Sequence, residues 1–409
     1  MPVSFKKRFN SIGVLLLLSI SYCNAQNHNI LGQQIASNIN LPYAAPLFLL
    51  IPPDAHSAGL GDAGVASEPD INSVYWNPAK LAFVKDTFGF SVSYTPWLRQ
   101  LVPDINFSDI SAFFKISNHQ TIGASLRYFS YENIQFNNNN GVIIGNYNPK
   151  EYAIDLCYSG KLSDNWSAGF TGRYIYSNLN GSSTVQGQYS HAGKDISVDV
   201  SAYHTHDEIN ILGMPSMASE GVCISNMGPQ INYNNPGDAS FLPTNLRIGA
   251  AQAINLNKEN KVTIMEDANK LLVPTPPVYA QTSTGINNNP VILAGMNPNV
   301  TPVQGMIQSF YDAPGGASEQ WHEITWSFGM EYNYNNQFAA RAGYFYENPT
   351  KGGREFYTLG VGFTLTSLHI DAAYLLSVSQ QNPLQNTLYI SLSFTFPQKK
   401  YSGNSVKTS

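Results

Sequence analysis

The sequence has few charged residues for its length. Only 12% of its 409 residues are Asp, Glu, Lys or Arg, whereas a globular chain carries about a quarter. That balance argues against a water-soluble enzyme. The net charge of −5 gives no reason to expect a nucleic-acid partner.

The chain also lacks long apolar runs, cysteine pairs and catalytic motifs. Beyond the N-terminus, no stretch approaches the roughly 20 apolar residues of a membrane helix. Cys157 and Cys223 fall on predicted strands that are not neighbours, so we expect two small buried side chains and no disulfide. Neither HExxH nor GxSxG occurs, so we expect no catalysis and no cofactor. The metal-like cluster His204-Thr205-His206-Asp207 is interpreted as a solvated turn at a strand end, without a further ligand.

Tyrosine, phenylalanine and glycine are abundant, with 24, 21 and 32 residues respectively. An aromatic-rich, glycine-rich, charge-poor chain suits an outer-membrane β-barrel. The N-terminus has the layout of a secretory signal peptide over 1–25, with Lys6, Lys7 and Arg8 before an apolar run that leads to Ala25. A lipidated Cys23 is the alternative, disfavoured because Tyr22 is bulky.

From residue 87 onward, one unit repeats: about ten residues of alternating apolar and polar character, then a break rich in Asn, Gly, Pro or Asp. This pattern predicts an all-β fold, a 14-stranded antiparallel transmembrane barrel over 87–396 with a tail at 397–409. The predicted strands are 87–96, 106–116, 121–131, 149–159, 166–178, 192–204, 218–228, 241–253, 260–273, 321–334, 337–347, 354–365, 367–377 and 385–396.

The predicted connections alternate in length along the chain. Those after even-numbered strands are mostly short, and those after odd-numbered strands are longer, as at 132–148, 179–191 and 274–320. Short periplasmic turns and longer external loops are typical of outer-membrane barrels, so both termini are expected in the periplasm. The segment 205–217 departs from this alternation.

The two-residue period of a strand assigns side chains to the lipid or to the lumen. It sends charged residues on four consecutive strands inward: Arg127, Asp155, Arg173 and Asp199. An Arg or Lys facing lipid at mid-membrane would cost about 2–4 kcal/mol. We expect charge pairs that close a plugged lumen, with an ion path or substrate site as the less favoured alternative.

Pairing across the Asn335-Asn336 turn must keep apolar side chains on the lipid face. That requirement predicts a three-residue loop or a bulge, with Glu331 opposite Arg341 in the lumen.

A glycine-dense segment at 52–66 precedes every predicted strand. Gly59, Gly61 and Gly64 fit GxGxxG, but a dinucleotide site requires a preceding strand and a βαβ unit, and here Pro52-Pro53-Asp54 precedes the glycines. The segment is better interpreted as chain that folds tightly inside another structure.

This segment carries a resemblance to a known family. PDAHSAGLGDAGVA (53–66), DINS (70–73), WNPAK (76–80) and SVSYTPWL (91–98) resemble the N-terminal signature of the PorV family of type IX secretion outer-membrane proteins. The resemblance implies a FadL-like barrel whose lumen is plugged by a hatch over 26–86, with hatch residues Asp54, Gly59, Gly61, Asp62, Gly64, Asn77, Pro78 and Ala79. His56 departs from the Arg expected in many relatives. We also expect Asp62 or Asp70 to pair with Arg127 or Arg173.

The predicted loop 274–320 has no evident secondary structure and a single charge, Asp312, before Glu319. Its two apolar clusters contain Ile292, Leu293, Met296, Met306, Ile307 and Phe310. A loop that folds over the barrel mouth and a partner-binding surface are equally compatible with this composition.

Two functions remain open. The resemblance implies a non-enzymatic secretion component that takes cargo with C-terminal sorting domains from the translocon to the cell-surface attachment complex, its partners being these proteins and outer-membrane lipid. The alternative is a FadL-like channel for a hydrophobic small molecule, which would need an apolar lumenal pocket beside a movable hatch.

Overall fold

The computed structural model describes residues 39–98, 105–131, 133–137, 143–179, 184–185, 188–189, 191–211, 213–233, 239–284, 290–378 and 384–397. The expected signal peptide, the first part of the expected hatch and all but the first residue of the tail lie outside these ranges. Among the described residues, no helix is both long enough and apolar enough to cross a membrane.

Fourteen antiparallel strands form a closed barrel, in chain order. The strands are β1 Phe88–Pro96, β2 Asn106–Ser117, β3 Gln120–Ser130, β4 Lys150–Lys161, β5 Trp166–Asn178, β6 Gly193–Ile211, β7 Met214–Met227, β8 Asn245–Asn255, β9 Asn260–Leu271, β10 Ile324–Tyr334, β11 Phe338–Tyr346, β12 Glu355–Leu365, β13 Leu368–Ser377 and β14 Leu388–Phe396. The barrel closes where β1 pairs with β14, from Phe88 opposite Phe396 to Tyr94 opposite Ile390. The predicted fold class and strand number are confirmed.

The segment 205–217 is strand rather than an irregular connection. β6 and β7 stay paired from His204 opposite Glu220 down to Ile211 opposite Met214. The connections after all the even-numbered strands are therefore short, and the expected exception at 205–217 is wrong. The interpretation of His204 to Asp207 as a turn is wrong for the same reason, because all four residues lie within β6.

Side chains alternate between the two faces of the wall as the period of two requires. In β14, Leu388, Ile390 and Leu392 are exposed on the outer face, while Tyr389 and Ser391 are buried inside. The inner face of the strand therefore packs inside the barrel, and its outer face presents an apolar surface to lipid.

The turn between β10 and β11 has the predicted register. Tyr334 pairs with Phe338, which leaves three residues in the loop, and Glu331 lies directly opposite Arg341. The side chains of both residues are buried inside the barrel. The prediction of an odd loop is confirmed. Cys157 and Cys223 are free and buried, also as expected.

Residues 39–87, here called the lumenal segment, begin at the end of the barrel with the longer connections, where the N–H of Asn40 donates to Thr350 O at 3.1 Å, and continue into the lumen. Its helical turns are Leu47–Leu50 (3-10), α1 Ala55–Ala58, α2 Ser73–Trp76 and Pro78–Phe83 (3-10). Nearly every residue from Pro52 to Leu81 is buried or half-buried. With inward-facing side chains of the wall, the lumenal segment builds the hydrophobic clusters of the core, such as Ile71, Val74 and Leu81 against Phe113.

Residues 272–323, here called the long loop, join β9 to β10 and are structured. The described part contains a hairpin of Val278–Thr284 with Pro290–Ala294, followed by α3 Pro302–Gln308 and α4 Ala317–His322. The expectation of a loop without secondary structure is wrong. Three smaller hairpins occur at Ile134–Asn137 with Ile143–Tyr147, Thr184–Val185 with Gln188–Tyr189, and Gln230–Ile231 with Ser240–Phe241, and a 3-10 turn at Pro349–Lys351 connects β11 to β12.

Candidate functional site

Asp54 organises the start of the lumenal segment. Its Oδ1 accepts a hydrogen bond from the N–H of Ser57 at 2.7 Å, which caps α1, and its Oδ2 accepts one from Trp76 Nε1 at 2.8 Å. The carboxyl is fully enclosed, so burial raises the pKa of Asp54 above its ordinary value. One side chain thus ties α1 to α2.

The glycines of the segment allow close approach rather than phosphate binding. Gly61 has φ +68°, and a Cβ there would lie 2.6 Å from the backbone nitrogen of Tyr344 in β11. A Cβ on Gly64 would lie 2.4 Å from the Trp76 ring. Gly59 ends α1, where its N–H bonds to the oxygen of Ala55 at 3.0 Å. The interpretation of a tightly folded internal segment is supported, and the dinucleotide alternative is not.

The wall binds the backbone of the lumenal segment with short polar side chains. Asp267 Oδ2 accepts hydrogen bonds from the N–H groups of Gly64 and Val65, at 2.7 and 2.9 Å. Hydroxyls on three further strands also bind the segment. Ser391 accepts from Ala55 N and Thr358 accepts from Gly61 N, whereas Ser219 donates to Ala66 O. These contacts satisfy buried backbone groups that no regular ladder could satisfy.

The Asn77-Pro78-Ala79 element makes the densest set of such contacts. Asn77 Nδ2 donates to the oxygens of Val65 at 3.0 Å and of Ala202, in β6, at 3.1 Å. Pro78 begins the 3-10 turn at a position where an N–H would have no helical partner. Ala79 is bound from both sides: its N–H donates to Ser201 Oγ at 3.0 Å, and its oxygen accepts from Ser159 and Ser167 at 2.9 and 2.7 Å.

Lys80, which the sequence reasoning did not single out, is buried among the same contacts. Its Nζ donates to the oxygen of Gly64 at 2.8 Å and to Ser67 Oγ at 2.7 Å. Burial lowers the pKa of Lys80, although nearby carboxylates such as Asp70 oppose that effect. Its position directly after Asn77-Pro78-Ala79 was the feature of the sequence that could have identified Lys80 as part of this site.

The four predicted lumenal charges form a continuous network in the wall, here called the charge ladder. Arg127 pairs with Asp155 at 3.0 Å, Asp155 with Arg173 at 2.7 Å, and Arg173 with Asp199 at 2.8 Å, and the side chains of all four are buried. The charge ladder is bonded mainly to itself. Its direct hydrogen bond to the lumenal segment is from Arg127 to the oxygen of Leu49, at 3.3 Å.

The expectation that Asp62 or Asp70 pairs with Arg127 or Arg173 is wrong. Within the described residues, the carboxylate partner of Arg127 is Asp155, and those of Arg173 are Asp155 and Asp199. The ladder carboxylates lie on adjacent strands and already occupy both guanidinium groups.

Asp70 instead faces His56, which links the lumenal segment to the wall. His56 Nδ1 lies 3.4 Å from Asp70, and its Nε2 lies 3.2 Å from Glu331, which pairs with Arg341 at 2.6 Å. Arg341 also pairs with Asp371 at 2.6 Å. His56, Asp70, Glu331, Arg341 and Asp371 therefore form a second charge network. A basic residue at position 56 suits this network because it lies between two carboxylates.

Protonation in this network follows from the geometry. Burial and the nearby Arg341 disfavour the charged imidazole, but the carboxylates of Asp70 and Glu331 outweigh them and raise the pKa of His56 to about 10. Although burial opposes it, the hydrogen bond from His56 and the charge of Lys80 lower the pKa of Asp70 to about 2. Burial raises the pKa of Asp62 to about 7, although the charge of Arg354 opposes this effect.

A cavity of about 700 Å³ lies at the end of the lumen where the short connections are. Its lining is rich in charged and polar side chains, among them His56, Asp70, Glu331, Arg341, His369 and Asp371. Such a lining suits water and ions better than a hydrocarbon.

The opposite end of the barrel carries the long loop, which is held by a buried polar cluster. Glu323 pairs with Lys270 and with Lys351, at 2.5 and 3.0 Å, and accepts from Thr275 at 2.7 Å. Lys351 also pairs with Glu319 at 2.6 Å. These residues anchor α4 to β9 and to the neighbouring 3-10 turn.

The anchored loop displays most of the predicted apolar residues. Leu293, Met296, Ile307 and Phe310 are exposed, and Ile292 and Met306 are half-buried. Phe310, Tyr311 and Trp321 also line a cavity of about 480 Å³ against the outer side of β8 and β9. The apolar clusters were predictable from the sequence, whereas the buried charges that anchor the loop were not.

Several solved structures are similar to this chain. They include the toluene transporter TodX from P. putida (10% identity, 84% of this chain and 99% of that chain covered, TM-score 0.46). The monoaromatic hydrocarbon channel CymD has 11% identity, coverage of 85% and 99%, and a TM-score of 0.48. A FadL homologue from Pseudomonas aeruginosa has 12% identity, coverage of 87% and 100%, and a TM-score of 0.43.

Curated proteins gave no match to the sequence. The family model described as "Type IX secretion system protein PorV" matches residues 34–278, which is more than half of the chain and covers the lumenal segment and the first nine strands. The protein is therefore an outer-membrane component of the type IX secretion system. The chain belongs to the PorV family.

Proposed function

We propose that this protein is a non-enzymatic carrier in type IX secretion. In this proposal it binds the C-terminal sorting domains of secreted cargo, receives them from the translocon and passes them to the cell-surface attachment complex. The observation that carries the proposal is the long loop, an anchored and folded element with exposed apolar side chains.

Anchoring lowers the cost of binding through this loop. The cluster of Lys270, Lys351, Glu319 and Glu323 fixes α4, and Asp312 accepts a hydrogen bond from Thr275 N at 3.0 Å, which fixes the chain between α3 and α4. A surface that is ordered before binding loses little conformational entropy when a partner arrives.

The displayed side chains are of the kind that dominates protein interfaces. Ile307 is 59% exposed and Phe310 is 51% exposed, with Leu293 and Met296 on the preceding hairpin and turn. Large apolar groups can be buried against a partner without desolvating charge, and a few such anchors supply most of the binding energy of an interface.

The lumen favours the carrier over a conduit for hydrophobic molecules. The lumenal segment packs inside the barrel, and the cavity of about 700 Å³ at the end with the short connections has charged side chains in its lining, among them His56, Glu331 and Arg341. A hydrocarbon path would need an apolar cavity there. We propose that the segment, within the expected range 26–86, acts as a fixed hatch.

The test substitutes the exposed face and leaves the anchor in place. A quadruple variant with Leu293→Ser, Met296→Ser, Ile307→Ser and Phe310→Ser should assemble normally and lose co-isolation of translocon and cargo from native membranes. Shortening 286–312 is a poorer test because it removes Asp312, which supports the loop.

The matched control is Leu162→Ser. Leu162 is 73% exposed and lies on the short turn between β4 and β5, at the other end of the barrel. The control variant should retain both partners. Retention of both by the quadruple variant would contradict the role of the loop.

A further inference from the structure

Two histidines and a glutamate meet on the outer face of the barrel, away from the lumen and the long loop. His204 and His206 are two residues apart in β6, so their side chains lie on the same face of the sheet. Glu220 on β7 lies directly opposite His204 in the register. The continued pairing of β6 and β7 thus brings together three side chains that sequence spacing alone could not relate.

The three side chains converge on one point. Glu220 Oε2 lies 3.0 Å from His204 Nδ1 and 3.6 Å from His206 Nε2, and the three ligand atoms lie within 4.8 Å of one another. In a tetrahedral zinc site with bonds of about 2.1 Å, neighbouring ligand atoms are about 3.4 Å apart. The observed spacing therefore needs only small side-chain rotations to fit the ion.

The first histidine is held in place before any ligand arrives. The Trp166 ring, on β5, stacks on the His204 ring with a centroid distance of 4.2 Å and an interplanar angle of 26°. The side chain of His204 is 15% exposed, whereas those of His206 and Glu220 are 48% and 52% exposed. One ligand is therefore fixed, and the other two remain open to an ion that comes from solvent.

We propose that His204, His206 and Glu220 form a binding site for a divalent transition-metal ion of the Zn²⁺ class. Two imidazoles and one carboxylate are a ligand set that such ions prefer, while Mg²⁺ and Ca²⁺ prefer oxygen ligands. Three protein ligands leave a fourth position open. The site goes beyond the proposed carrier role and does not depend on it.

The position of the site allows access from water. β6 and β7 continue for several residue pairs beyond His206, to Ile211 and Met214. Trp166 stands at the first residue of β5, where interfacial aromatic side chains are typical of outer-membrane strands. The ligands therefore lie near the membrane boundary at the end with the short turns, which faces the periplasm.

The experiment is a zinc titration of the intact, detergent-solubilised protein, with any affinity tag removed, by competition with a chromogenic chelator. The wild-type protein should bind one equivalent of Zn²⁺, undisturbed by excess Mg²⁺. His206→Ala and Glu220→Gln should each weaken the affinity at least tenfold. His119→Ala, at an exposed histidine in the turn between β2 and β3, is the control and should have no effect.

Heat-modifiable migration of each variant on gels verifies that the barrel is folded. His206 is exposed, so its replacement leaves the fold intact, and the proposal stays testable even if Glu220→Gln assembles poorly. Wild-type affinity weaker than millimolar, or equal affinity in wild type and His206→Ala, would overturn the proposal.

Discussion

Two sets of polar contacts hold the inside of this barrel together, and they differ in what they bind. The charge ladder of Arg127, Asp155, Arg173 and Asp199 pairs strand to strand and meets the lumenal segment through Arg127, which donates to Leu49 O and lies 5.1 Å from the centroid of the Tyr75 ring. The hydroxyls of the wall and Asp267 bind backbone groups of the segment at many points, as at Ala79 and Gly64.

The difference has a physical reason. A buried guanidinium is satisfied most completely by carboxylates on adjacent strands, where geometry is fixed by the ladder. An irregular buried segment presents unpaired N–H and C=O groups, and these need short partners that can approach closely. Serine, threonine and one aspartate supply them, so the conspicuous charges stabilise the wall while the inconspicuous hydroxyls position the segment.

The largest expected effect comes from a substitution that places a side chain where the lumenal segment now lies. A Cβ on Gly343 would lie 2.0 Å from Gly61 N, so Gly343→Leu should displace the segment from the wall. Cells that carry this variant should become sensitive to vancomycin, measured as a fall in the minimal inhibitory concentration.

Gly172→Leu is the matched control for that substitution. Gly172 lies on the outer face of β5, where an added Cβ meets nothing within 4 Å. Unchanged sensitivity in both variants would mean that the close approach at Gly343 does not position the segment.

The charge ladder should matter for stability and not for sealing. Arg173→Met removes the guanidinium that pairs with Asp155 and Asp199 and leaves uncompensated negative charge buried in the wall. The free energy of unfolding should therefore fall by about 3–5 kcal/mol. Vancomycin sensitivity should stay at the wild-type level, because the hydrogen-bond partners of Arg173 among the described residues, Asp155, Asp199 and Asn226, all lie in the barrel wall. Unfolding in urea followed by gel mobility measures the first effect, and a rise in sensitivity with an intact barrel would contradict the second.

Asp267→Ala should loosen the segment locally. The N–H groups of Gly64 and Val65 lose their buried acceptor, which should cost about 1–3 kcal/mol. Asp267→Asn retains an acceptor oxygen and should cost less. Hydrogen exchange at 60–66, followed by mass spectrometry, checks the order wild type, then Asn, then Ala, and equal exchange in all three would refute it.

A smaller effect is expected from pH. The pKa of His56 is raised from 6.5 to about 10, so its protonation stabilises the folded state fully below about pH 6.5, and this stabilisation is lost as the pH rises towards 10. His56→Arg keeps the charge, so between pH 7 and 10 the free energy of unfolding should fall more steeply for the wild type than for the variant.

Comparison with the arginine variant isolates His56. Asp54 and Asp62, whose pKa values are raised by burial, titrate equally in both proteins. Urea unfolding at each pH gives the two curves, and parallel curves would show that the imidazole does not titrate in this range.

The strands were predictable because a strand with one face to lipid and the other to the lumen must alternate apolar and polar side chains. The same parity placed Glu331 opposite Arg341, since a two-residue turn would have exposed the wrong face. The continuation of β6 through Thr205 and His206 was missed because a strand beyond the membrane has no need of an apolar face.

The contacts of the lumenal segment were not predictable in this way. Asp62 and Asp70 belong to irregular chain that has no period, so parity could not assign their neighbours. In the sequence, Ser159 and Ser201 are two of many inward-facing hydroxyls. Their hydrogen bonds to the backbone of Ala79 become evident only when the position of the lumenal segment is known. Glu220 could be related to His204 only through the register of β6 with β7.

The most direct test of the central claim compares hydrogen exchange of residues 77–84 in two variants. One replaces the wall hydroxyls around Ala79 and Ala82 (Ser159→Ala, Ser167→Ala and Ser201→Ala), and the other replaces the whole charge ladder with Met and Leu. Loss of hydrogen bonds worth about 1 kcal/mol each should accelerate exchange at least tenfold in the serine variant. The ladder variant should remain close to wild type. Faster exchange in the ladder variant than in the serine variant would contradict the account.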